Sequence, residues 1–161
     1  MKIAVLSDTH NRYATVGRAL AELRDRGVTT VLHCGDIEDP EIVFLFRGLT
    51  AHFVFGNCDG DRDGLRAAMT RIGATLHENF GHVEMAGRKI AFLHGDDRRL
   101  MRDVEQSGAY DFLFYGHTHQ PEEHITGPTR VINPGALHRA RPKRFIVLDL
   151  PDGVIEPVEV E

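Results

Sequence analysis

An α/β fold with two sheets and outer helices is what this sequence predicts, and three observations predict it. The N-terminal part alternates short apolar runs with amphipathic segments, a β-α-β-α-β rhythm that favours a parallel sheet with crossovers of the usual hand. The later part changes to paired runs joined by turn residues, the pattern of hairpins. The chain has 161 residues, enough for one domain (1–161) with a sizeable core and too few for two comfortable ones.

The elements follow in order. Ile3-Ala4-Val5-Leu6 is a continuous apolar run suited to a strand covered on both faces, and it ends in Ser7-Asp8-Thr9-His10. A helix is expected from near Asn11, with Val16, Leu20 and Leu23 on one face and Gly27 as its stop. Thr29 to Cys34 is the next strand, closing in Gly35-Asp36. Asp39-Pro40-Glu41 reads as a cap with proline at the first helical position, opening a short helix through Ile42 to Arg47 that stops at Gly48. A third strand, His52-Phe53-Val54-Phe55, ends in Gly56-Asn57-Cys58-Asp59; Leu65, Met69 and Ile72 then mark a helix stopped by Gly73.

In the second part, His82 to Met85 and Lys89 to Leu93 read as a hairpin around Ala86-Gly87-Arg88, and its second strand ends in His94-Gly95-Asp96. A helix carrying Leu100, Met101 and Val104 leads to the aromatic run Tyr110 to Tyr115, which ends in Gly116-His117-Thr118-His119. Gly116 is expected to turn the backbone so that two histidines project from a loop. Arg130-Val131-Ile132 runs into Asn133-Pro134-Gly135, and the hairpin Phe145 to Leu150 and Val154 to Val160 closes the chain.

Composition excludes several function classes. A net charge of -5 argues against a nucleic-acid polymer or an anionic membrane as partner. No apolar run approaches the ~20 residues of a membrane span. The N-terminus enters a strand pattern at once, with no signal-peptide cleavage region after it, and the two cysteines have no framework spacing. The expected location is therefore the cytoplasm. The oligomeric state is left open.

Five strand ends finish in groups that bind hard or borderline divalent metals: D-x-H, G-D, G-N, H-G-D and G-H-x-H. Each has a plain alternative. Asp8 could cap a helix, Gly35-Asp36 could be a turn, Asn57 an Asx-turn, and His94 a hydrogen-bonded core histidine. In open α/β sheets, however, ligands bind at the carboxyl ends of the strands, where all five lie. Five coincidences at one edge make the plain reading the weaker one.

The ordered set Asp8-x-His10, Gly35-Asp36, Gly56-Asn57, His94 and Gly116-His117-x-His119 resembles the signature of the calcineurin-like metallophosphoesterase superfamily. With no cap insertion, the chain is similar to its small single-domain phosphodiesterases. The resemblance implies a four-layer α/β/β/α sandwich of two mixed sheets flanked by helices. It assigns Asp8, His10, Asp36 and His119 to one metal and Asp36 (bridging), Asn57, His94 and His117 to another. It also gives Asp36, Asn57 and His94 catalytic roles.

The implied cofactors are two divalent ions, manganese first, with iron, zinc or nickel as alternatives. Two such ions ~3.5–4 Å apart clamp the attacking and leaving oxygens of an in-line displacement, and a bridging water acidified toward pKa ~7 supplies hydroxide. The implied substrate is a small phosphodiester, nucleotide-like ones included. Two alternatives stand beside it: a phosphomonoesterase of the same superfamily, and a non-catalytic protein-interaction scaffold of the same fold.

One position departs from the wider family. Where many of its phosphatases carry histidine after the metal-binding asparagine, assisting the leaving group, this chain has Cys58. The acid role is then unfilled, or taken by water or another residue such as His33 or His138. Cys34 and Cys58 are otherwise expected to be small buried thiols. Arg12 and Cys58 are the candidate substrate contacts. The basic loop His138 to Arg144 is either a solvated turn or a substrate or partner contact.

Overall fold

The computed structural model describes residues 1–161 and bears out the predicted four layers. The first sheet has the order β11-β10-β1-β2-β3-β4, where β1 is Lys2–Leu6, β2 Thr30–His33, β3 Thr50–Phe53, β4 Thr75–Leu76, β10 Arg144–Asp149 and β11 Val154–Glu159. β1 to β4 run parallel to their neighbours, while β10 and β11 add on antiparallel. The second sheet has the order β5-β6-β7-β9-β8, from β5 Phe80–Met85, β6 Arg88–Leu93, β7 Phe112–Phe114, β8 Glu122–Thr126 and β9 Thr129–Asn133. Its middle strands β6, β7 and β9 are parallel, and its edges are antiparallel.

Strand periodicity explains the layering. Side chains alternate faces along a strand, so a continuous apolar run serves two cores at once. In β1, Ala4 and Leu6 face α1 (Tyr13–Asp25), α2 (Pro40–Val43) and α3 (Arg62–Ile72), sharing one core with Leu20, Ile42 and Leu65. Ile3 and Val5 face the other way, into the core between the sheets with Phe92, Phe114 and Ile146. On the far side of the second sheet, Leu93, Leu113 and Val131 receive Val104 from α4 (Arg98–Gln106).

Several boundaries differ from expectation. α1 begins at Tyr13 rather than near Asn11, because the preceding backbone is committed elsewhere: His10 has a positive φ of 45°, and its amide donates to the Asp36 carbonyl at 2.9 Å. The Ile42 to Arg47 helix is a short α-turn ending at Val43, followed by a 3-10 turn over Phe44–Phe46. Asp39 caps it as expected, accepting from the Glu41 amide at 2.9 Å. β3 lies two residues earlier than read; the Val54 and Phe55 amides bind the carbonyls of His33 and Glu78 as the chain leaves the sheet. The aromatic run forms a strand only over Phe112–Phe114, and two strands, β4 and β8, were not foreseen.

Candidate metal centre

All five motif-bearing strand ends open on one side of the molecule, with β1, β2 and β3 contributing from the first sheet and β6 and β7 from the second. Five of the seven candidate ligands share an uncommon backbone. Asp8, His10, Asp36, His117 and His119 all have positive φ, between 45° and 68°. Each such non-glycine residue costs on the order of 1–2 kcal/mol, although Asp and His tolerate the region better than most. Clustering of this strain at a single site points to function.

Gly116 works differently from the sequence expectation. Its own φ is not positive; the turn is made by His117 and His119. What Gly116 supplies is space, since a Cβ there would sit 1.8 Å from Ser7 Oγ and 2.6 Å from Asp8 Oδ2. Gly56 does the same for the other loop, where a Cβ would lie 2.1 Å from Asp36 Oδ1.

The first group of side chains is Asp8, His10 and His119, whose ligand atoms all lie within 4.8 Å of one another. Asp8 Oδ2 accepts from Ser7 Oγ at 2.6 Å and the His117 amide at 3.1 Å. Its other oxygen, Oδ1, lies 3.1 Å from His119 Nε2 without hydrogen-bond geometry, so it is fully buried and unsatisfied. The His10 ring is oriented by Glu38, whose Oε1 is 2.8 Å from Nδ1, leaving Nε2 buried with no partner. An unsatisfied buried polar atom costs about 1–3 kcal/mol. Two in one cluster, both able to donate lone pairs, fit a cation.

The second group is Asp36, Asn57, His94 and His117. Asn57 Oδ1 lies 2.9 Å from His94 Nε2 and 3.0 Å from His117 Nδ1. The His94 Nδ1–H donates to the Cys34 carbonyl at 2.8 Å, which sets the ring orientation and aims Nε2 inward. A second partner of this kind on each ring is the usual environment of metal-ligating histidine. Asp36 links the groups: Oδ2 is 3.3 Å from His94 Nε2 and 3.8 Å from His10 Nε2, while Oδ1 accepts from the Cys58 amide at 2.8 Å.

Electrostatics agree with this geometry. Burial pushes the His94 imidazole down, but the adjacent Asp36 carboxylate more than offsets it and raises the value to about 9. Burial likewise pushes Asp36 up, yet His94 and the Cys58 amide hold its carboxyl well below the usual carboxylate range. The protein thus concentrates negative charge here and retains a proton where a cation could sit. Metal binding would displace it.

The structure brings all seven sequence-predicted ligands together. Arg12 is exposed beside them, its Nε donating to His138 Nδ1 at 2.9 Å, and the His138 ring lies 4.5 Å from that of His10. His33 is wholly buried, with Nε2 3.0 Å from Thr9 Oγ1, so it cannot meet a substrate. Cys34 is buried as expected, but Cys58 is exposed, because it follows Asn57 on the open side of the loop. Burial and the neighbouring Asp36 push the Cys58 thiol up to about 11, so it is not a thiolate near neutral pH.

Three positioning residues escaped the sequence analysis. Asp59 is buried and accepts four backbone amides: Oδ1 from Ile37 at 2.7 Å and Glu38 at 2.8 Å, Oδ2 from Asp36 at 3.0 Å and Gly56 at 2.7 Å. It ties the Asp36 loop to the Asn57 loop. Glu38 orients His10 as described. Asn133 donates to the Gly116 carbonyl at 2.9 Å and Thr118 Oγ1 at 3.0 Å, clamping the histidine loop. An acidic residue two after Asn57 was the available signal for Asp59; nothing in the sequence singled out Glu38.

Comparison with known proteins bears on the family and the fold. Residues 1–153 match the family model described as the calcineurin-like phosphoesterase superfamily domain. A phosphodiesterase of Methanocaldococcus jannaschii is 33% identical over 138 residues, 84% of this chain and 83% of that protein. An archaeal phosphodiesterase of known structure superposes with a TM-score of 0.91 at 29% identity, with 100% of both chains covered. Wild-type Vps29 of Entamoeba histolytica, complexed with zinc, reaches 0.69 at 23% identity over 99% of each chain, a likeness of fold alone.

Proposed function

Since this chain belongs to the calcineurin-like phosphoesterase superfamily, we propose that it hydrolyses small phosphodiesters in the cytoplasm with two divalent metals, manganese foremost. Asp8, His10, Asp36 and His119 would hold one ion; Asp36, Asn57, His94 and His117 would hold the other. The observation that carries the reading is the pair of buried, unsatisfied atoms, Asp8 Oδ1 and His10 Nε2, inside a complete donor set. The mixture of carboxylate, imidazole and amide oxygen suits manganese, iron, zinc or nickel. When bound, the ions supply Lewis-acid neutralisation of the phosphate and an acidified water.

The chain's own residues do the rest. Asp36 brings the two groups of ligands to one point, and its low proton affinity keeps it an anion across the working pH range. Asn57 contributes an uncharged oxygen, so the ligand set carries only the charges of Asp8 and Asp36 and an anionic substrate is not repelled once cations are present. Arg12, steered by His138, presents its remaining guanidinium N–H groups to a phosphate oxygen.

Retention of every donor favours an enzyme over an interaction scaffold, and the phosphodiesterase relatives favour diesters over monoesters. Turnover of aryl diesters and monoesters by metal-stripped protein, with and without added manganese, tests the reading. Diester cleavage that needs the metal is expected. Cleavage by metal-free protein, or none in any metal, would overturn it.

A further inference from the structure

A cavity of about 190 Å³ opens between the ends of β3 and β6, directly beside the proposed centre, sharing Gly56 and His94 with it. The volume is below the ~300–1,000 Å³ of pockets that swallow a drug-sized ligand, so it suits one ring system. Its distinctive wall is Phe55 with the Arg62 guanidinium over its ring, the guanidinium carbon 4.7 Å from the ring centroid. Arg62 Nη1 donates to Asn79 Oδ1 at 3.2 Å, which steadies the plane from one edge.

Two arginines approach the Phe55 ring, and they differ in a decisive way. Arg66, 5.7 Å from the centroid, is neutralised by Glu78. Arg62 forms no ion pair of its own, although Glu78 feels its charge and Asp96 and Asp97 line the same cavity. Asp97 is spent on capping α4, accepting the Arg99 and Leu100 amides at 3.0 Å. Asp96 makes no ion pair or hydrogen bond and offers a free acceptor at the cavity edge.

We propose that this cavity is a subsite for a planar aryl or heteroaryl ester substituent, a nucleobase being the fitting example, which stacks on the exposed face of the Arg62 guanidinium. The assignment rests on the phosphodiesterase reading for its placement next to the reacting phosphate. A flat π-system matches the Arg62 plane, since guanidinium groups stack on aromatic faces. Leu100 supplies apolar contact, and Asn79 and Asp96 supply polar groups for the ring edge. A second phosphate group is the poorer occupant, because the two aspartates would repel it.

The test is an amide NMR titration of the zinc-loaded protein, zinc being diamagnetic, with 5′-AMP and with ribose 5-phosphate. The base should tighten binding about tenfold, the scale of stacking one base on a planar side chain. Shifts should centre on Phe55, Arg62 and Gly95. Arg62→Ala should reduce 5′-AMP to the affinity of ribose 5-phosphate, and Arg62→Lys, which keeps charge without the plane, should do the same. Equal affinities in wild type, no binding of either ligand, shifts elsewhere, or an advantage that survives Arg62→Ala would each overturn the subsite. Turnover of bis-p-nitrophenyl phosphate by wild type separates the two claims. Turnover without base discrimination removes only the subsite, and discrimination without turnover removes only the hydrolase reading.

Discussion

Asp59 shows how much of the site depends on a residue that never meets a metal or substrate. Its two oxygens collect four amides from the loops bearing Asp36 and Asn57. Asparagine in its place has one accepting oxygen, and its NH₂ would face N–H donors. Each amide left unsatisfied costs about 1–3 kcal/mol. Asp59→Asn is therefore expected to lower urea-unfolding stability by a few kcal/mol and to weaken manganese binding in the surviving fold. Unchanged metal affinity would show that the two loops hold their geometry alone. Cys58 presents the opposite case, an exposed residue beside the centre with a protonated thiol. A positioned general acid contributes ~10²–10⁴-fold, so Cys58→His should raise cleavage of alkyl monoesters more than of aryl diesters. Equal leaving-group dependence in both proteins would show that position 58 has no acid role to recover; neither nearby histidine fills it, since His33 is buried and burial with His10 pushes His138 down to about 4.

At the scale of elements, the parts legible in the sequence are those that serve a core. β1, β2, β6 and β10 are continuous apolar runs because both of their faces are covered, and the helices keep one apolar stripe. β8 was missed because Glu122-Glu123-His124 is an edge strand whose side chains face water or bind Tyr115 and Glu105. β4 has two residues and no pattern to read. The seven candidate ligands were legible because each stands at a strand end beside a glycine or a second donor. Glu38 and Asp59 were not, since acidic loop residues carry no sign of what their carboxylates hold. Gly116 joins the two levels: β7 and β1 approach so closely that only hydrogen fits between Gly116 and Ser7. Gly116→Ala must push Asp8 or the histidine loop aside, and a misplacement of about 1 Å can cost ~10²-fold in rate. A loss of that order in kcat/KM, with far-UV circular dichroism unchanged, is expected.

For the whole molecule, the core and the site meet at His33, which is buried beneath the candidate metal ligands and neutral. The Gly35 amide donates to its Nδ1, so its Nε2–H donates to Thr9. Burial, with His94 adding to it, lowers its value from 6.5 to about 3. The unfolded chain therefore binds a proton that the folded chain refuses between those two values. Stability is full above pH 6.5 and is lost as pH falls toward 3, at up to about 1.4 kcal/mol per unit. Between pH 7 and pH 5, wild type should lose about 2 kcal/mol more than His33→Gln in urea unfolding of the metal-free protein. Equal losses would mean that His33 titrates normally in the fold.

The proposed centre also spans the two sheets. Asp8, His10, Asp36 and Asn57 come from the first sheet, and His94, His117 and His119 from the second. An ion held by both sets binds only when the sheets are assembled, so it stabilises the folded state by mass action, about 2.7 kcal/mol at a hundredfold excess over Kd. A chain of this size shifts its Tm by about 2–4 °C per kcal/mol, which predicts a rise of roughly 5–10 °C when manganese is added to stripped protein. Asp36→Ala removes the ligand common to both groups and should abolish the rise. It also relieves His94 of its charge partner, so the stripped variant tests whether the proton on His94 was holding the sheets together in the metal's place. If manganese raises the Tm of wild type and Asp36→Ala equally, the ion binds somewhere other than between the sheets, and the proposed centre fails regardless of what the enzyme turns over.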